Sequence, residues 1–293
     1  MFKTLRNELI LNYVLEPAGP LLIKSGKDNG LQPERPNMTV MTTYFQGKEC
    51  PVIPGSSMKG VIRSRLEQLL RSFVKEVGGE SREMACYITD NDTPDNCNKK
   101  VEDAKNITDV EGKYAVACRA CQLFGNTFLA SRIKFSDAIG KEGIRLAQRT
   151  CVAIDRVTGG VAGRARFDVE VVETGKFYGD IHLRNFALWQ VVGLLAVLND
   201  IQQGIVTLGS ATSRGFGRVK ITALQGQFRD YRLDKPSDVL WGYRGQKDQL
   251  KFWQEFEQAG FYQQAPVDLQ MLDRWPELMR QRDFLALLQA DVR

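Results

Sequence analysis

The chain alternates between stretches whose apolar residues recur with a strand or helix period and stretches with no period. Residues 5–15 (LRNELILNYVL) mix β-branched and other apolar residues in partial alternation, which predicts a first strand. Residues 16–38 are a long loop rich in Gly, Pro, Asn and Lys, and MTVMTTYF at 38–45 is strand-like again. Pro54-Gly55 breaks the strand that follows, and Ser56 or Ser57 can cap a helix. Val61, Ile62, Leu66, Leu69, Leu70 and Phe73 then fall on one stripe at helical spacing.

Residues 78–117 are polar, acidic and poor in core residues, too long for a free loop inside a compact domain. After them come a strand and turn (SRIKFSDA), a strand-loop-strand arm over 150–182, a buried helix at 186–202 (FALWQVVGLLAVLNDIQ) and a closing strand (RVKITALQGQF). This order predicts an α+β fold on a ferredoxin-like sheet with helices on one face. From Pro236 the tail holds three Trp and two amphipathic stretches, DQLKFWQEFEQAG and WPELMRQRDFLALLQ, which predict a helical C-terminal extension over 236–293. The core then spans 1–235, with an insertion at 78–122 and a hairpin at 152–172.

Composition narrows this only a little. The 43% apolar and 26% charged fractions are those of a soluble globular protein. No apolar run reaches the roughly 18 residues of a membrane span, and the N-terminus lacks a signal-peptide core. A cytoplasmic protein with no membrane partner is expected. With one histidine, His182, paired-His ribonuclease chemistry and multi-His zinc catalysis are excluded, and His182 reads as an ordinary half-buried side chain. A net charge of +5 permits a nucleic-acid partner without requiring one.

The cysteines change the picture of the insertion. Cys86, Cys97, Cys118 and Cys121 lie in or beside the core-poor segment, and the last two form a CxxC pair. Four thiolates around tetrahedral Zn²⁺ would supply the folding free energy that this composition lacks. Scattered reduced thiols and a redox CxxC are the other readings. Cys50 and Cys151 stand apart, as small apolar residues of the sheet.

Three places combine backbone exposure with positive charge. At the helix start Ser56, Ser57, Lys59 and Arg63 stand together; Lys59 opposes the helix dipole, and an anion between Lys59 and Arg63 would explain it. The glycine loop 208–218 carries Arg214, Arg218 and Phe216, whose ring could stack on a base. Residues 155–166 of the arm carry Arg156, Arg164 and Arg166 with no acid after Asp155. A capped helix, a tight turn and a solvated hairpin tip are the plain alternatives. Together the three point to a groove for a phosphate backbone, with RNA the leading ligand.

IPGSSMKGVIRSRLE, CRACQLFG, AIDRVTGGVAGRARFDVEVVETG and LGSATSRGFGRV, in this order within 5–225, resemble the RAMP superfamily, in particular the Cas seven backbone subunits of CRISPR effectors. The resemblance implies an RNA-recognition-motif-like core with a β-hairpin thumb near Arg156 to Arg166 that wedges into the guide–target duplex. It implies copies stacked along a guide (crRNA), held by Ser56, Ser57, Lys59, Arg63, Arg214 and Arg218, with a complementary RNA or DNA target and other effector subunits as partners. CxxC followed by LFG is similar to the zinc-bearing type III-D branch. Family members that cut target RNA carry an aspartate where this chain has Asn37, and an amide cannot replace a carboxylate as base or metal ligand. A binding subunit of the type IV, type VII or non-cutting type III kind is expected; cleavage through Asp28 is the alternative.

Overall fold

A computed structural model of the chain describes residues 3–26, 36, 38–72, 75–77, 80–82, 84–87, 96–103, 107–281 and 284–290. The first half runs β1 (Asn7–Pro17), β2 (Thr42–Phe45), β3 (Lys48–Ile53), α1 (Gly55–Arg71), β4 (Lys75–Val77), β5 (Glu80–Arg82), α2 (Cys97–Asp103), α3 (Val110–Val116) and α4 (Arg119–Phe124). The second half runs β6 (Ile133–Phe135), β7 (Ala138–Ile154), β8 (Val161–Arg184), α5 (Leu188–Gln202), β9 (Val219–Asp230), β10 (Val239–Trp241), β11 (Gln249–Lys251), β12 (Glu257–Ala259), β13 (Tyr262–Asp268), α6 (Met271–Gln281) and α7 (Phe284–Ala290). It is a mixed α and β fold around one antiparallel sheet.

The sheet has nine strands in the order β12-β13-β9-β1-β8-β7-β3-β2, with β6 also paired to β8. At its centre β1 alternates. Leu9, Leu11, Tyr13 and Leu15 are buried, while Asn12 is exposed and Ile10 and Val14 are half-buried, the period-2 pattern of a strand with one face on a core. Helix α1 buries Met58, Ile62, Leu66 and Leu70 at helical spacing. Helix α5 is buried on almost every side, because β9, α1, α6 and α7 all pack around it.

The C-terminal extension departs from the expected helices. DQLKFWQEFEQAG contains β11 and β12, and β13 adds to the sheet beside β9. Phe252 of this segment meets Phe228 of β9 edge-to-face at 5.3 Å. Packing against that ring and the free edge of β9 overrides the helical spacing of the segment. WPELMRQRDFLALLQ is helical in α6 and α7. Of the stretch at 38–45, β2 covers only its second half; Met38 and Val40 make isolated bridges to Val169 and Lys24. Phe73 lies outside the described residues.

Candidate metal centre and nucleic-acid interface

Helix α1 starts against the turn between β6 and β7. The Gly55 N–H donates to Asp137 Oδ1 at 2.8 Å, so a carboxylate from a distant turn caps the helix. A Cβ at position 55 would stand 2.5 Å from the Phe135 carbonyl oxygen, which is why glycine occupies it. The serines expected to cap do not: the N-cap is Pro54, Ser56 is exposed and Ser57 half-buried. Sequence reasoning missed Asp137 because its partner is 82 residues away.

Lys59 and Arg63 lie on one side of α1, as their spacing predicts. Burial, then the charge of Arg63, lowers the Lys59 pKa. Arg63, however, turns away from the helix start. Its Nε donates to Glu67 Oε1 at 2.8 Å, Nη1 to the Gly125 carbonyl at 3.3 Å and Nη2 to Cys121 Sγ at 3.6 Å. Burial alone would lower its pKa, but the Glu67 bond and the cysteine charges raise it. Arg63, expected at the helix start, thus has all three of its nitrogens directed at protein acceptors near α4.

The four cysteines singled out from sequence come together. Sγ atoms of Cys86, Cys97, Cys118 and Cys121 all lie within 4.8 Å of one another. Cys86 and Cys121 are 3.7 Å apart, against about 3.8 Å for the edge of a tetrahedron with 2.3 Å metal–sulfur bonds. Backbone N–H groups point at the sulfurs: Cys118 N at Cys97 Sγ (3.1 Å), and Cys86 N and Cys121 N at Cys118 Sγ (3.4 Å each). Contacts led by Cys118 pull the Cys86 thiol down and push the Cys121 thiol up. Four such thiols cannot all ionise unaided, and a soft dication would make four thiolates compatible. All six cysteines are free of disulfides. The donor set and spacing fit a structural Zn²⁺; Cys50 and Cys151 are half-buried elsewhere.

Strands β7 and β8 leave the sheet as a two-stranded arm. At its tip Asp155 Oδ1 accepts from the N–H groups of Val157 (2.9 Å) and Thr158 (2.7 Å), which hold the turn and lower the Asp155 pKa, Thr158 first. Val157 is 93% exposed and Ile154 65% exposed; Arg156 and Arg166 are exposed beside them. Arg164 lies in β8.

The glycine loop closes on the root of this arm. Ser210 N donates to the Leu22 carbonyl and Gly217 N to the Pro20 carbonyl, both at 2.8 Å, while Leu21 bridges Val172 of β8. Arg214 is exposed, with its guanidinium 5.7 Å from the Phe167 ring on the arm. Arg218 is exposed and lies against Gly204 at the end of α5. Phe216, expected to offer a face for base stacking, is 8% exposed and belongs to the main core, so its ring is spent on packing. The arm and glycine loop thus meet at Arg214, whereas no hydrogen bond or ion pair joins either of them to Lys59 among the described residues. Asp28 and Asn37 lie outside the described residues.

His182 is half-buried, as expected, but it has a partner that the sequence did not reveal. Its Nε2 lies 2.8 Å from Glu8 Oε1, and Tyr231 donates to Glu8 Oε2 at 2.7 Å.

The family model of the RAMP superfamily matches residues 14–220. The chain belongs to the RAMP superfamily. The RAMP match takes in α1, the cysteine centre, the β7–β8 arm, α5 and the glycine loop, and leaves out the C-terminal extension. This RAMP protein is similar in structure to a chain of the cryo-EM structure of the type III-B Cmr-beta bound to cognate target RNA. The TM-score is 0.46 at 13% identity, covering 75% of this chain and 61% of that one. The RAMP chain therefore spans less than two thirds of that neighbour's length. No curated protein matches its sequence. No helix among the described residues is long and apolar enough to cross a membrane.

Proposed function

We propose that this RAMP chain is a guide-RNA (crRNA)-binding backbone subunit of a multisubunit CRISPR effector. It polymerises along the spacer and supports target pairing without cutting the target. The carrying observation is the β7–β8 arm: its apolar tip and flanking Arg156 and Arg166 are exposed, and its root meets the glycine loop at Arg214. An exposed apolar tip between arginines suits a wedge at a base step with phosphates on either side.

The local order β9-β1-β8-β6, with α1 between β1 and β6 in sequence and α5 between β8 and β9, supports an RNA-recognition-motif-like core. On this reading the arm is the thumb and the cysteine segment a zinc-bound insertion. Ser56, Ser57, Lys59, Arg214 and Arg218 grip the guide backbone, and Arg156, Arg164 and Arg166 lie along the guide–target duplex. Further copies of the chain and other effector subunits complete the particle.

The absence of cleavage rests on the sequence alone, on Asn37 in place of the family's aspartate. Guide-loaded complex incubated with complementary RNA and Mg²⁺ is expected to hold the target intact, with affinity falling steeply as salt rises. Regularly spaced cuts that disappear in Asp28→Ala would overturn this reading in favour of a metal-dependent endoribonuclease.

A further inference from the structure

Helix α1 carries Arg63, Glu67 and Arg71 at intervals of four residues, hence on one face over a rise of about 12 Å. The Glu67 carboxylate holds both guanidinium groups, with Oε1 2.8 Å from Arg63 Nε and Oε2 3.3 Å from Arg71 Nη2. Each arginine then reaches a different part of the cysteine centre. Arg63 donates to Cys121 Sγ at 3.6 Å and to the Gly125 carbonyl just past α4. Arg71 donates to the Cys86 carbonyl at 3.0 Å and lies over the Tyr87 ring at 4.5 Å. Cys86 and Cys121 are 35 residues apart in sequence, and the same helix face touches both.

We infer that Arg63 and Arg71 are positioning residues of the cysteine centre, bracing the Cys86 side and the Cys118–Cys121 side from α1, and that Arg63 does not contact RNA. This rests on the metal reading of the four cysteines. Four thiolates with one Zn²⁺ carry a formal charge of about −2. A guanidinium at a ligand sulfur offsets that charge and makes the thiolate harder to protonate and release. The side chains of Arg63, Glu67 and Arg71 are only 18%, 13% and 26% exposed, so solvent screens this contact weakly. Arg63 has Nε, Nη1 and Nη2 all directed at protein acceptors, which commits three of its five N–H donors to α1 and the cysteine centre.

The test uses the purified full chain, its zinc content, the rate at which zinc passes to a chelator, the thiolate charge-transfer band of the Co²⁺-substituted protein, and affinity for a labelled single-stranded RNA. Wild type should carry one zinc per chain. Arg63→Met should bind zinc roughly 10–100-fold more weakly and shift the Co²⁺ band, with RNA affinity of the metal-loaded protein unchanged. Arg63→Lys should restore part of the retention. Glu67→Gln, which keeps both arginines but loosens them, should fall between wild type and Arg63→Met, and it gives the same reading should Arg63→Met fail to fold. Unchanged zinc retention in Arg63→Met and Glu67→Gln would overturn the inference, and weaker RNA binding beside it would return Arg63 to the RNA contacts. A wild-type protein without zinc or a Co²⁺–thiolate band would instead refute the metal reading, and the inference with it.

Discussion

Helix α1 offers a sharp test of the proposed guide path, because a carboxylate already stands at its first N–H. Asp137→Asn removes the charge but keeps an oxygen able to accept from Gly55 N, 2.8 Å away. A phosphate on the next N–H groups of α1 would sit on the order of 6 Å from that side chain. At this distance the repulsion is about 0.7 kcal/mol with the dielectric of water and about 2.8 kcal/mol with an effective value of 20. Asp137 is exposed, so the lower half of that range applies. RNA affinity should therefore rise about three- to twentyfold. The weaker cap should cost a few tenths of a kcal/mol up to about 1 kcal/mol, a fall in Tm of at most about 2–4 °C. Fluorescence anisotropy with a labelled single-stranded RNA at about 0.1 M salt reads the affinity, with Asp273→Asn on α6 as a charge-matched control. Equal or lower affinity in Asp137→Asn, or the same gain in Asp273→Asn, would take the start of α1 off the RNA path.

Three further outcomes follow from the structure. Burial by itself raises the Glu8 pKa, but bonds from His182 and Tyr231 and the charges of His182 and Arg184 bring it below the ordinary glutamate value. The stabilisation from Glu8 is thus present above the unfolded-state value and lost as pH falls through the lower folded one, so acid unfolding of Glu8→Gln followed by circular dichroism should depend less steeply on pH in that window. Gly209 has φ +81°, and a Cβ there would stand 2.3 Å from the Leu22 carbonyl oxygen; Gly209→Ala should cost about 2–3 kcal/mol in a urea titration and weaken RNA binding with it. Deleting residues 236–293 should give aggregated protein on size-exclusion chromatography, because Leu240, Phe252, Phe256, Val267, Leu278 and Leu288 all belong to the main core.

The sequence was most informative where the deciding interaction is local. Alternation in β1 and the apolar stripe of α1 are visible because the same core takes every second or every third to fourth residue. The cysteines were legible because a segment without core residues needs another source of stability. Side-chain direction was not legible: spacing places Arg63 beside Lys59, but only the folded α4 shows it turned to Cys121. Phe216 looked available beside two arginines because its glycine-rich neighbours hid that the loop folds back over Leu22 and Pro20. In DQLKFWQEFEQAG the period fits a helix, yet Asp248 is buried and accepts from Leu188 N at the start of α5, while Phe252 packs on Phe228. Such long-range partners leave no trace in a local pattern.

Counting cations overstates what this protein can offer a phosphate backbone. Arg65 is spent on Asp200, Arg149 on Glu173, Arg232 on Asp230, and Arg63 and Arg71 on Glu67. Arg119 and Arg132 are buried and bonded to the Leu288 and Asn185 carbonyls. Lys59, Arg156, Arg166, Arg214 and Arg218, by contrast, form no ion pair among the described residues, and they lie on α1, the arm and the glycine loop. If these five make the phosphate contacts, each contributes about 0.7 to the slope of log affinity against log salt on a single strand, for a total near 3.5 per protomer. Replacing Lys59 and Arg214 together by Ala should lower the slope by about 1.4 and leave the contributions of Arg156, Arg166 and Arg218. A wild-type slope far above 3.5 would mean that further cations, Arg164 of the arm among them, also touch RNA, and an unchanged slope in the double variant would remove Lys59 and Arg214 from the interface.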